Sequence, residues 1–91
     1  MQSVGICFVS RENWLEYCRI STDIPVGSDY ETYLNAVEKF CAQFAAKGGR
    51  ALKIDTQPSE LLAWCNERNM EVNPSSRSHY AAMRMAELDK K

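Results

Sequence analysis

Ala51-Leu52-Lys53-Ile54-Asp55-Thr56-Gln57-Pro58 separates an α+β reading of this chain from a purely helical one. Leu52 and Ile54 stand two apart and share one face of an extended segment, so residues 51–55 read as a short strand. Thr56 or Gln57 then caps a helix with Pro58 in its first turn, where a missing N–H costs nothing. That helix carries Leu61, Leu62, Trp64 and Cys65 and frays near Asn69. Met70-Glu71-Val72 is a possible third, very short strand, which gives residues 51–72 the order of a small strand–helix–strand unit.

Working outward toward the N-terminus, Val4, Ile6 and Phe8 point one way in an extended chain, and Gly5, Cys7 and Val9 the other. Both sets are apolar or small, so residues 4–9 predict a strand buried on both faces. Ser10 caps a short helix with Trp14, Leu15 and Cys18 on one side. Residues 20–27, with Pro25 and Gly27, read as a loop. Ser28-Asp29-Tyr30-Glu31 has the form of a capping box, with Ser28 as N-cap and Glu31 reaching back. Tyr30, Tyr33, Leu34, Val37, Phe40, Cys41, Phe44 and Ala45 then recur on an arc of about 140°. This long helix is expected to supply the main core face along its whole length. Gly48-Gly49 ends it, because glycine takes the left-handed conformation freely. Asn73-Pro74 starts a last helix, running to about Leu88.

The expected fold is a small, helix-dominated two-layer α+β domain over residues 1–91, with two or three short strands covered by about four helices. A mostly helical bundle with incidental extended pieces is the alternative. At 91 residues the chain makes one domain, and its 45% hydrophobic content is enough for a core. The net charge of -1 argues against a nucleic-acid module held by overall charge. The longest apolar run is residues 4–9, so no membrane span is expected. Met1-Gln2-Ser3-Val4 lacks the basic n-region of a signal peptide, so the protein is expected in the cytoplasm. Cys7, Cys18, Cys41 and Cys65 show no ligand spacing and read as reduced, small hydrophobes. No metal or cofactor is implied.

Catalytic signatures are lacking: His79 is the single histidine, and no phosphate loop, nucleophile elbow or zinc-protease pattern occurs. The last helix is more informative. Its first turn, Asn73-Pro74-Ser75-Ser76-Arg77, offers free N–H groups, hydroxyls and a guanidinium to an anion such as a phosphate or a partner's carboxylate. Arg77, Tyr80, Arg84 and Lys91 fall within about 60° on a helical wheel, beside a neighbouring arc of Ala81, Ala82, Met85, Ala86 and Leu88 that would be buried. A helix-turn-helix across residues 58–88 fits poorly, since Arg68, Ser75 and Ser78 would fill apolar positions. Charge is uneven: residues 1–46 hold three basic and six acidic groups, and residues 47–91 hold eight and six.

Leu52-Lys53-Ile54-Asp55, Leu61-Leu62-Ala63-Trp64-Cys65 and Asn73-Pro74-Ser75-Ser76-Arg77-Ser78-His79-Tyr80-Ala81 together resemble the C-terminal half of small bacterial and prophage proteins without an assigned activity, over residues 48–86. The resemblance implies a bacterial or phage cytoplasmic origin and transfers no active site. The expected function is that of a small non-catalytic interaction or regulatory protein. It binds a protein partner, or an anion, through Ser75, Ser76, Arg77, Tyr80 and Arg84 of the C-terminal helix. A homodimer is compatible with this. The alternatives are nucleic-acid binding by the Arg77/Tyr80/Arg84 face, and a small enzyme or ligand binder with a site between helices.

Overall fold

The computed structural model describes residues 2–89. Strand β1 (Ser3–Phe8) leads through a 3-10 turn (Arg11–Asn13) into α1 (Trp14–Ile20). Helix α2 (Tyr30–Ala46) precedes β2 (Arg50–Asp55), and α3 (Pro58–Glu67) and α4 (Pro74–Asp89) complete the order. The chain is a small helix-dominated α+β domain. β1 and β2 pair in parallel, with Gly5 opposite Leu52 and Cys7 opposite Ile54. A parallel pair needs a crossover rather than a hairpin, and α1 and α2 provide it.

Both faces of β1 are apolar or small, and the structure puts a helix against each. Gly5, Cys7 and Ile54 face α4: Cys7 Sγ donates to the Arg77 carbonyl at 3.3 Å, and Gly5 lies against the Ala81 backbone. Phe8 and Lys53 lie on the α2 side, where Phe8 stacks on Tyr33 and Lys53 pairs with Glu38. Beyond the end of β1, Val9, Tyr17, Leu61, Cys65, Val72 and Tyr80 form the buried core.

Several local expectations shift by a residue or a turn. Asp29, not Ser28, caps α2: its Oδ2 accepts from the Thr32 amide at 3.1 Å. Ser28 Oγ instead donates to the Pro25 carbonyl, and Glu31 pairs with Arg11 rather than reaching back. Ser10 stands at the N-cap of the 3-10 turn but makes no capping bond, and Leu15 is exposed while Tyr17 is buried. The third strand is reduced to a single parallel bridge, Ser21 to Val72. The turn before it is made by Asn69 in the left-handed region (φ 55°), a conformation asparagine tolerates better than most residues.

Helix α2 is a core helix only in its first half. Tyr30 and Val37 are buried, but Phe40 is 42% exposed and stacks on Phe44 at the surface. The sheet has only two strands, so Phe40 lies off its side, over a surface hollow shared with Ile6 and Cys7. Phe40→Ala is therefore expected to cost no more than about 1 kcal/mol in denaturant melts, instead of the ~3–5 kcal/mol typical of a buried phenylalanine.

Candidate functional site

The last helix does not carry the ridge that its helical wheel suggests. Asn73 is the N-cap of α4: its Oδ1 accepts from the Ser76 amide, while Ser76 Oγ accepts from the Asn73 amide, both at 3.0 Å. Ser76 Oγ also donates to the Glu71 carbonyl at 2.6 Å. Ser76 is thus buried and used within the chain, whereas Ser75 is exposed. Arg77 turns away from the helix end and binds Asp23 through two nitrogens, at 2.8 and 2.7 Å. Its side chain is only 14% exposed and also lies over the Tyr17 ring. Burial by itself would lower the Arg77 pKa. The bond to Asp23, with Tyr17, Asp23 and Cys7 facing the guanidinium, outweighs it and holds the pKa above the ordinary value.

Tyr80 is 3% exposed and meets Trp64 edge-on. Arg84 donates to the Tyr80 hydroxyl at 3.2 Å and sits between Glu60 and Glu87. Lys91 lies outside the described residues. The expected exposed basic–aromatic ridge is therefore corrected: Arg77 and Tyr80 point into the protein, and Arg84 alone borders solvent. The cause is a roll of α4. With no side chain on Gly5, the Ala81 backbone sits directly on β1. Ser76, Tyr80 and Ala81 then turn inward, and Ala82, Ala86 and Leu88 are left exposed.

This roll opens a different feature. In a parallel pair, alternate residues of a strand direct N–H and C=O to the same neighbour. The flanking bonds Arg50 N–H to Gln2 C=O and Thr56 N–H to Phe8 C=O assign the even residues of β1 to β2. Odd residues face the other edge, which tyrosines occupy at one end. The Tyr33 hydroxyl donates to Cys7 C=O at 3.1 Å and accepts from Val9 N–H at 3.3 Å. The Tyr30 hydroxyl donates to Val9 C=O at 2.8 Å. Burial pushes the Tyr33 phenol up to about 12, against the pull of its bond to Val9, so it stays a neutral donor.

The rest of that edge is open. The N–H and C=O of Ser3 and Gly5, and the N–H of Cys7, have no partner among the described residues. Gly5 and Cys7 form the floor of a groove between two helices. α2 lines one wall with Tyr33, Ala36, Val37 and Phe40, and α4 lines the other with Pro74, Arg77 and Ser78. Two adjoining hollows of about 300 and 350 Å³ make up its length. Gly5 is buried, so its unpaired backbone groups sit where an unmet hydrogen bond is costly.

The groove's reactive-looking groups are subdued. Burial raises the Cys7 pKa, against smaller opposing effects of Thr56 and Arg77, so the thiol stays protonated. Burial likewise pushes the Tyr17 phenol up. Cys7, Cys18, Cys41 and Cys65 are all free thiols, and no group of three potential ligands gathers for a metal among the described residues. No helix among them is long and apolar enough to cross a membrane.

Residue patterning missed Gly5, Cys7, Tyr33 and Ser78 as site residues. A signal was present: residues 3–8 contain no charge, and among the described residues one other strand pairs with them, which leaves the second edge of β1 without a strand. Against this geometry, no family model matches the chain, and no curated protein or solved structure matches it significantly.

Proposed function

We propose that this is a small non-catalytic interaction protein that docks a protein partner as an added strand on the open edge of β1, with the C-terminal helix as one wall. The observation that carries this reading is the row of outward-facing backbone groups at Ser3, Gly5 and the Cys7 N–H, unpaired, with Gly5 and Cys7 on the floor of a two-walled groove. Strand addition obtains affinity from main-chain hydrogen bonds and specificity from alternate side-chain pockets. The partner segment is extended and uncharged, because the window it meets carries no charge. On the α4 side it meets the hollow of about 300 Å³ lined by Gly5, Pro74, Arg77 and Ser78.

Charge placement disfavours nucleic acid. Arg11, Lys53, Arg77 and Arg84 each stand beside a carboxylate, so they present little free positive charge to a phosphate backbone. The four free thiols suit a reducing cytoplasm.

The test is a selection from a displayed library of random peptides of about eight residues, followed by amide chemical-shift mapping of the winners on dilute protein. Shifts concentrated at Ser3, Gly5, Cys7 and Ser78 are expected. Winners that map to the separate hollow between α3 and α4, around Trp64, Met83 and Leu88, would overturn the assignment.

A further inference from the structure

Resting on the strand-addition reading, we infer that the partner segment runs parallel to β1 and that a basic residue just after it pairs with Asp29. The open window supplies the N–H and C=O of Ser3, the N–H and C=O of Gly5, and the N–H of Cys7. It stops there because the Tyr33 hydroxyl takes Cys7 C=O and Val9 N–H, and the Tyr30 hydroxyl takes Val9 C=O.

This set of groups has a direction. A parallel partner meets each bonding residue through two of its own: one accepts from the N–H, and the next but one donates to the C=O. Starting at Ser3, such a partner uses every group of the window and finishes on a C=O that accepts from Cys7 N–H. None of its own inward-facing groups is left over. An antiparallel partner sets one residue opposite Cys7, and the N–H of that residue has to share Cys7 C=O with the Tyr33 hydroxyl. Burial favours the same direction. Helices α2 and α4 wall the edge on its two faces, and strands covered on both faces are the habitat of parallel sheets. The segment is therefore apolar on both faces. Its residue level with Ile6 shares the α2 face and enters the hollow of about 350 Å³ toward Val37 and Phe40.

The groove does not end at Tyr33. A further hollow of about 400 Å³ shares Tyr33 and Ala36 with the α2 side and Ile24 with the α4 side, and continues to Trp14, Thr32 and Asp29. A parallel segment leaves the edge into this hollow at its C-terminal end. Among the described residues, Asp29 is the one charged side chain lining it, is exposed, and makes no ion pair. Its Oδ2 accepts from the Thr32 amide and hydroxyl, which leaves Oδ1 for a cation. The partner is thus an internal segment of about five uncharged residues followed by a lysine or arginine.

The probes are the winners of the peptide selection, acetylated and amidated, each made with a nitroxide on an added cysteine at one end or the other. Broadening of the amides of the intact chain falls steeply with distance from the nitroxide, and the window from Ser3 to Cys7 is about 13 Å long, enough to separate the two ends. An N-terminal label is expected to broaden Ser3 and Val4 most, and a C-terminal label Ile24 and Thr32. The winners should carry a basic residue after the uncharged stretch. Asp29→Asn should weaken them about two- to fivefold at low salt, as for an exposed ion pair. Asparagine caps a helix about as well as aspartate, so the melting temperature should hold. If the variant does not fold, the salt dependence of wild-type binding decides in its place, with affinity falling as salt rises. The reverse order of broadening would overturn the inference and leave strand addition standing. So would edge-bound winners that Asp29→Asn leaves unweakened or, failing that variant, that salt leaves unchanged. If no winner shifts Ser3, Gly5 and Cys7, the strand-addition reading falls and this inference with it.

Discussion

Gly5→Val is expected to destabilise the domain by about 3 kcal/mol, the upper part of the range for overpacking a filled core. A Cβ built on Gly5 lies 3.0 Å from the Ala81 carbonyl oxygen and 3.2 Å from Ile54 Cγ1. The first of these is helix backbone, which cannot rotate aside as a side chain can. Relief requires α4 to lift from β1, and α4 carries Tyr80, Ala81 and Ser76 into the interior. Valine adds two more methyl groups in the same space, so Gly5→Val should exceed Gly5→Ala. In a domain whose whole stability is ~5–10 kcal/mol, the loss is visible in any denaturant melt. A cost below about 1 kcal/mol for Gly5→Val would mean that α4 does not rest on β1 through this residue. The position also bears on the groove: because α4 approaches so closely there, Ser78 and Pro74 stand over the strand edge and form its wall.

The elements were largely legible from local pattern. A run of apolar and small residues without charge predicts β1, and a continuous apolar arc with glycines behind it predicts α2. What local pattern does not carry is how narrow the sheet under a helix is, so Phe40 reads as core although it lies off the unpaired side of β1, beside Ile6 and Cys7. The rotation of α4 was illegible for a related reason. A wheel assigns arginine to solvent and Ala82, Ala86 and Leu88 to the interior. The roll is instead determined by Gly5, about 75 residues away in sequence, and by Asp23, which gives Arg77 a partner inside. The groove required both facts together. Its polar floor is main chain, which has no residue signature, and only Tyr30 and Tyr33 hinted at it, since hydroxyls at that helix end need a polar partner.

The two arginines of α4 should respond differently to charge reversal. Arg77→Glu is expected to cost about 2–3 kcal/mol, less than a fully buried ion pair broken from one side, because only the arginine is buried and Asp23 stays partly in solvent. It removes two charge-assisted hydrogen bonds to Asp23 and sets a carboxylate in their place, beside a side chain that is 33% exposed. Arg84→Glu should change stability by less than about 1 kcal/mol, because its carboxylate neighbours stand at 3.7 and 3.9 Å on exposed side chains. The acid response distinguishes a broken ion pair from lost packing over Tyr17. The Arg77 hydrogen bond holds the Asp23 carboxyl below the usual carboxylate range, against the upward pull of burial. A depressed native pKa contributes stability that is fully present above the unfolded value of about 3.9 and lost as pH falls through the native one. The wild type should therefore lose stability steeply below about pH 4. Arg77→Glu has no such contribution to lose, and protonation relieves its Asp23–Glu repulsion. The gap between their melting temperatures should thus narrow as pH falls from 7 toward 3. Arg77→Met, which keeps much of the side-chain volume without the charge, should show a smaller gap at pH 7 that narrows over the same window. A gap independent of pH in both variants would assign the role of Arg77 to its packing over Tyr17 and remove Asp23 from the account of how the 21–23 loop is fastened to α4.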